Sequence, residues 1–174
     1  MAERGDNPHG EADFVCRYDP RSVLDAGCGT GRVAVELVRR GIDSIGVDSD
    51  QDMIAAARSK DAAITWMAIN LAHLRLDRRF DVVVMAGNVI IFAKPVDRPA
   101  VIERCAAHVG PEGVLIAGFQ LRSNGPTLAD YDAWCAAAGL ELGERFATWN
   151  GDPFHAGNGD YAVSVHRHRA GTCA

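Results

Sequence analysis

The sequence predicts a doubly wound α/β fold, a seven-stranded and mostly parallel sheet whose last strand runs antiparallel to the others. Three observations predict it. Five short apolar runs alternate with segments of helical period. One of those runs, Phe80–Met85 (FDVVVM), is continuous, as in a strand covered on both faces. The last two strand-like segments are separated by a Gly- and Pro-rich stretch that cannot hold a crossover helix.

The elements follow in order. After a polar start, Glu11–Tyr18 reads as a short helix with Phe14 and Val15 as its apolar side, closed by Pro20. Ser22–Ala26 is a buried strand that ends on Gly27-Cys28-Gly29-Thr30-Gly31. A helix follows with Ala34, Leu37 and Val38 on one face and Gly41 at its C′ position. Ser44–Val47 is the second strand and stops at Asp48, and Asp50 caps a helix whose face is marked by Met53, Ala56 and Ala57. Ile64–Met67 and Phe80–Met85 are the third and fourth strands.

Asp97 opens a helix with Val101, Cys105 and Val109 on one side, and Gly110-Pro111-Glu112-Gly113 turns the chain into a strand over Val114–Phe119. Thr127-x-x-Asp130 is a capping box before the stripe Tyr131, Trp134, Cys135 and Ala138, ended by Gly139. Leu142–Trp149 and Tyr161–His166 then read as strands. Residues 151–159 between them are too rich in Gly and Pro for a helix, so the two strands should pair as a hairpin.

Composition narrows the function. The 174 residues are 48% hydrophobic and 24% charged, which fits one ordinary folded domain rather than a disordered chain. No apolar run reaches the roughly 18–20 residues that span a bilayer, and the first dozen residues lack the apolar core of a signal peptide. The net charge of −5 argues against general nucleic-acid binding. The basic run His166-Arg167-His168-Arg169 reads as a solvated chain end. Cys16, Cys28, Cys105, Cys135 and Cys173 form no Cys-x-x-Cys pair, and the six histidines show no ligand spacing. The expectation is therefore a reduced, cytoplasmic protein without a metal site.

The Gly-rich turn carries the most specific signal. A dinucleotide-binding turn reads G-x-G-x-x-G, whereas here Gly27, Gly29 and Gly31 alternate and Arg32 stands where the third Gly of that pattern belongs. Asp25, just before the turn, would repel a pyrophosphate docking on the helix N-terminus and would suit an ammonium or sulfonium group. Asp48 lies about 20 residues beyond the turn, where an acid accepts hydrogen bonds from two ribose hydroxyls. A ribose with a positive charge instead of phosphates describes S-adenosylmethionine well and NAD badly.

The segment VLDAGCGTGRVAVELVRRGIDSIGVDSDQDMIAAAR, residues 23–58, resembles motif I and the following acidic motif of class I S-adenosylmethionine-dependent methyltransferases. The resemblance runs from Glu11 to the terminal hairpin and implies a Rossmann-like sheet with an antiparallel last strand. It implies an N-terminal segment and short helix over 1–20, and a methyltransferase domain over 21–174. Asp25 would take the methionine amino end directly or through water, while Gly27, Cys28 and Gly29 let the backbone approach the cofactor. Asp48, with Ser49 beside it, would hold the ribose, and Met53 would pack on the adenine. Asn70-Leu71 occupies the position where an acidic residue often receives the adenine amino group, and the Asn is a departure from that pattern. Ala86-Gly87-Asn88 resembles the segment whose backbone touches the methionine part, although Asn88 also suits a plain turn.

The implied activity is methyl transfer to a small-molecule acceptor through an O, N or C nucleophile, giving S-adenosylhomocysteine. Ala86-Gly87-Asn88-Val89 is not the Asn/Asp-Pro-Pro-Tyr/Phe motif that grips a flipped base or a planar amide. In-line positioning supplies most of the acceleration in such a displacement. A general base would help with an alcohol, phenol or amine, and His155, Asp152 and His9 are the candidates. The acceptor pocket is either shallow and open or completed by a homodimer partner or a further N-terminal segment. Two other readings stand beside this one, a methyltransferase-fold protein that binds without catalysing and an NAD(P)-dependent oxidoreductase.

Overall fold

The computed structural model describes residues 7–157 and 159–170. Seven strands form one sheet in the order β3-β2-β1-β4-β5-β7-β6. They are β1 (Ser22–Ala26), β2 (Asp43–Asp48), β3 (Thr65–Ala68), β4 (Phe80–Met85), β5 (Val109–Gln120), β6 (Leu140–Phe146) and β7 (Tyr161–His168). Among the described residues β7 alone runs against the rest, pairing antiparallel with both β5 and β6. The expected terminal hairpin is present, and its return strand is inserted between β5 and β6 rather than added at the edge.

Helices cover both faces. α1 (Gly10–Cys16), α2 (Arg32–Arg39) and α3 (Gln51–Lys60) cover one side. The short α4 (Val89–Phe92), α5 (Arg98–Ala107) and α6 (Leu128–Ala137) cover the other. Period-2 alternation divides the strands between two cores. Leu24 and Ala26 join Val83, Met85, Leu115 and Phe119 beneath α5 and α6. Val23, Val82, Val84 and Ile116 pack with Phe14 and Leu37 beneath α1 and α2.

The helix starts are chemically specified. Asp50 accepts from the amides of Asp52 and Met53, and Thr127 and Asp130 form the reciprocal capping box expected of them. Other boundaries differ from expectation for local reasons. α5 stops at Ala107 because Val109 has entered β5, where it pairs with Phe80. Gly110–Gly113 is therefore no separate turn but a bulge inside β5, bridging the register from Phe80↔Val109 to Val82↔Val114. A Cβ at Gly113 would lie 2.8 Å from the carbonyl oxygens of Phe80 and Asp81, which explains the glycine.

α3 buries Ile54 and Ala57 and leaves Met53 41% exposed, so its apolar face is rotated from the expected stripe. Trp149 falls outside β6 and packs its ring edge-on against Phe14. Residues 166–168 are not a solvated end. His166 is buried within β7, and the His168 imidazole lies 3.2 Å from the carbonyl of Val109. Cys16, Cys28, Cys105 and Cys135 are free thiols, while Cys173 lies outside the described residues. No described helix is long and apolar enough to cross a membrane.

Candidate functional site

The site grows from the turn between β1 and α2. Gly27, Gly29 and Gly31 have φ of +79°, +52° and +78°, a left-handed region that side chains disfavour. The amides of Gly27 and Cys28 both donate to the carbonyl of Val47, at 2.8 and 2.9 Å, and so fasten the turn to the end of β2. One residue on, Asp48 clamps it further. Its Oδ2 accepts from the Gly29 amide at 2.8 Å and its Oδ1 from the Asp50 amide at 2.9 Å. Each carboxylate oxygen retains a lone pair for another donor.

Asp25 works from underneath. α2 has Gly31 at its N-cap, with no side chain to cap it, and Asp25 Oδ2 accepts from the free Ala34 amide at 3.2 Å instead. The residue is 1% exposed and does not reach the cavity surface. Burial pushes its carboxyl up to about 7, against the lowering effects of the Ala34 amide and of Arg32. Two further contacts hold the flanks of the turn. Lys60 Nζ donates to the Thr30 carbonyl and hydroxyl at 2.9 and 2.8 Å. Arg32 forks onto the Glu11 carboxylate at 2.9 and 2.6 Å, tying α1 to the start of α2.

A cavity of about 580 Å³ opens at the carboxyl ends of the strands, where open α/β sheets bind their ligands. Gly27 and Gly29 form one wall, with Asp48, Ser49, Asp50 and Met53 beside them. Asn70 and Leu71 lie at the end of β3, and Gly87 and Val89 follow β4. The remaining wall is built by Phe92, Ala93, Lys94, Asp97 and Val101. A Cβ at Gly27 would lie 2.5 Å from a Val89 methyl, so the glycine also lets α4 close against the turn.

The expected residues divide cleanly. Gly27, Gly29, Asp48, Ser49, Met53, Asn70, Leu71 and Gly87 all line the cavity, whereas Asp25, Cys28 and Ala86 do not. Cys28 is buried, and burial pushes its thiol up, reinforced by Asp25 and Asp48. Ala86 packs into the core shared with α1 and α2. Asn70 turns its Oδ1 onto the Ala72 amide at 2.9 Å and so caps the 3₁₀ turn Leu71–His73. Asn88 has φ of +67° and accepts from the Gln120 amide at 2.7 Å, which ties the end of β4 to the end of β5.

His9, Asp152 and His155 are absent from the lining. His9 lies 3.6 Å from Glu36, Asp152 accepts from the Thr148 hydroxyl, and His155 is exposed. The α4 wall is not legible in the sequence. The quartet Val89-Ile90-Ile91-Phe92 is too short to display a helical period, so its apolarity was the one available signal.

The donor set suits a particular ligand. Asp48, Asp50 and Asp97 put three carboxylates on the cavity against one cation, Lys94. With Asp25 buried behind the turn, this surroundings disfavours a pyrophosphate and suits a nucleoside with a cationic tail. The residues therefore fit S-adenosylmethionine.

Residues 23–113, more than half of the chain, match the family model described as a methyltransferase domain. Over 95% of its length the chain also superposes on 90% of a TehB-like S-adenosylmethionine-dependent methyltransferase from Corynebacterium glutamicum, with a TM-score of 0.88 and 30% identity. The chain belongs to the class I S-adenosylmethionine-dependent methyltransferases. Two curated relatives match this methyltransferase domain over shorter stretches. The ubiquinone biosynthesis O-methyltransferase of Bradyrhizobium diazoefficiens is 36% identical over 54% of this chain and 38% of its own. The dTDP-3-amino-3,6-dideoxy-alpha-D-glucopyranose N,N-dimethyltransferase of Streptomyces fradiae is 32% identical over 60% of this chain and 42% of its own. The match thus spans less than half the length of either relative.

Proposed function

We propose that this methyltransferase domain binds S-adenosylmethionine in the cavity beside the Gly27–Gly31 turn and transfers the methyl group to a small-molecule acceptor. S-adenosylhomocysteine is the second product, and the nucleophile is an O, N or C atom of the acceptor. One observation carries the reading: the Asp48 carboxylate, clamped by the Gly29 amide, stands on the cavity wall with an open lone pair on each oxygen.

In this reading Asp48 and Ser49 hold the ribose hydroxyls, and Met53 and Leu71 pack on the adenine. Gly27, Gly29 and Gly87 allow the backbone close to the methionine portion. Asp25, Cys28 and Ala86 act from behind the surface by shaping the turn and the end of β4, rather than by touching the ligand. The domain proper runs over 21–174, and Glu11 of the preceding segment braces the turn by accepting from Arg32.

Bound S-adenosylmethionine supplies a methyl carbon activated by its sulfonium, open to displacement by the acceptor's lone pair. The chain's part is to align the two, an effect worth about 7–11 kcal/mol in well-oriented systems. None of His9, Asp152 and His155 lines the cavity, which supports transfer by alignment without a dedicated general base. The net charge of −5 and the acidic cavity support a small-molecule acceptor over a nucleic acid. We place the domain in the cytoplasm. Phe92 and Val96 are 78% and 83% exposed beside the cavity, which supports a homodimer that completes the acceptor side.

The test is calorimetric titration with S-adenosylmethionine, S-adenosylhomocysteine and NAD⁺. Micromolar binding of the first two and none of NAD⁺ is the expected result. Failure of both sulfur ligands to bind a folded sample overturns the reading.

A further inference from the structure

The acceptor side chains on the cavity wall are not equally available. Asp48 accepts from the amides of Gly29 and Asp50, Asp50 from those of Asp52 and Met53, and Asn70 from that of Ala72. Asp97 also lines the cavity, yet its carboxylate accepts no hydrogen bond among the described residues. It stands at the N-cap of α5 without capping it, its backbone already helical (φ −91°, ψ −16°) rather than in the extended conformation of a capping residue. A half-buried carboxylate on a cavity wall with no protein partner keeps its full acceptor capacity for a ligand.

The fold places this carboxylate and Asn70 on the same cavity, at the same edge of the sheet. The chain leaving Asn70 descends alongside α5, which packs against the 3₁₀ turn Leu71–His73. The register is pinned at the far end, where the Leu76 amide donates to His108 Nε2 at 2.9 Å. Asn70 and Asp97 therefore both stand at the near end, at the carboxyl edge of the sheet, and Leu71 and Val101 behind them line the same cavity. Lys94, three residues earlier, lines it too, but an ammonium has no lone pair to offer an amine.

We infer that Asp97, arriving from the start of α5, accepts the exocyclic amino group of the adenine in place of the acid that Asn70 replaces. The inference rests on the proposed binding of S-adenosylmethionine at this site and deepens it. Asn70 is left with the structural task of capping the 3₁₀ turn, and Asp97 takes the charged half of a charge-assisted hydrogen bond. Asp97 is then what distinguishes a 6-amino purine from a 6-oxo purine. The carbonyl of the latter would face a carboxylate with no proton between them.

Titrating the full-length chain with S-adenosylhomocysteine and with its 6-oxo analogue, S-inosylhomocysteine, tests this directly. Wild type should prefer the amino form. Asp97→Ala should weaken S-adenosylhomocysteine about tenfold and leave the inosyl ligand unchanged or tighter, so that the preference falls at least tenfold. Asp97→Asn, which keeps the volume, should move the preference the same way by a smaller factor. Because Asp97 makes no capping bond, the ligand-free melting temperatures of both variants should match wild type. Equal weakening of both ligands, or of neither, overturns the role of Asp97 while leaving the cofactor reading intact. Failure of wild type to bind S-adenosylhomocysteine at all sinks both.

Discussion

The amide of Gly29 and the carboxylate of Asp48 meet at 2.8 Å, joining the turn after β1 to the end of β2. The same carboxylate also accepts from Asp50, so one side chain organises two backbone segments and the cavity wall between them. Asp48→Ala should therefore act twice. It should weaken S-adenosylhomocysteine at least tenfold by calorimetry, about 1.4 kcal/mol or more. It should also lower the melting temperature of the ligand-free protein, because two backbone donors lose their partner. Unchanged affinity in a folded Asp48→Ala protein removes Asp48 from the ligand.

Asp25 makes the stability of the ligand-free protein depend on pH in a direction unusual for a carboxylate. Its carboxyl is raised from 3.8 to about 7 in the folded state, mainly by burial. Between those values the folded protein holds a proton that the unfolded chain has released. This group's contribution to stability is thus fully present below about pH 4 and is lost as pH rises through about 7. Asp25→Asn, whose amide oxygen can still accept from Ala34, should match wild type near pH 4. It should exceed wild type by up to about 4 kcal/mol at pH 8. Denaturant unfolding at the two pH values checks this, and a variant less stable than wild type at pH 8 contradicts it.

The parts of the site legible in the sequence are those set by short-range rules. Gly27, Gly29 and Asp48 announce themselves through spacing and strand ends, and each stands on the cavity wall. The terminal hairpin follows from the length and composition of 151–159, too short and too rich in Gly and Pro for a crossover helix. What could not be read was set by tertiary packing. Spacing places Asp25 just before the turn, but period-2 alternation turns it under α2, where it accepts from the Ala34 amide of a helix start with no side-chain cap and stays off the cavity lining. Val109 fits the α5 stripe equally well, and its pairing with Phe80 decides for β5. Phe92 and Asp97 sit in segments of four and three residues with Lys94 in the link between them, where no period can be counted.

His9, Asp152 and His155 supply a negative test. Two of them have partners away from the cavity and none lines it. Replacing each by Ala should leave the affinity for S-adenosylhomocysteine within twofold of wild type. A tenfold loss in any one by calorimetry would place that loop or helix start over the ligand.

β3 supports the turn from outside the cavity. Trp66 of β3 is paired with Gly46 of β2, and its ring lies across the glycine. A Cβ on Gly46 would come within 2.3 Å of that ring, and one on Gly31 within 2.4 Å. The indole cannot swing aside freely, because its Nε1 donates to the Asp61 carbonyl at 2.7 Å. It packs in the same cluster as Ala34, Ile54 and Ala57, between α2 and α3. Gly46→Ala should consequently destabilise the protein by about 1–3 kcal/mol through overpacking. It should also weaken cofactor binding, since the displaced ring pushes on Gly31 at the foot of α2. Trp66→Leu in the same chain vacates the space, so the double variant should lose less than the sum of the two single losses, with a coupling of about 1 kcal/mol or more. Additive losses in denaturant unfolding would show that the ring and the glycine do not constrain each other.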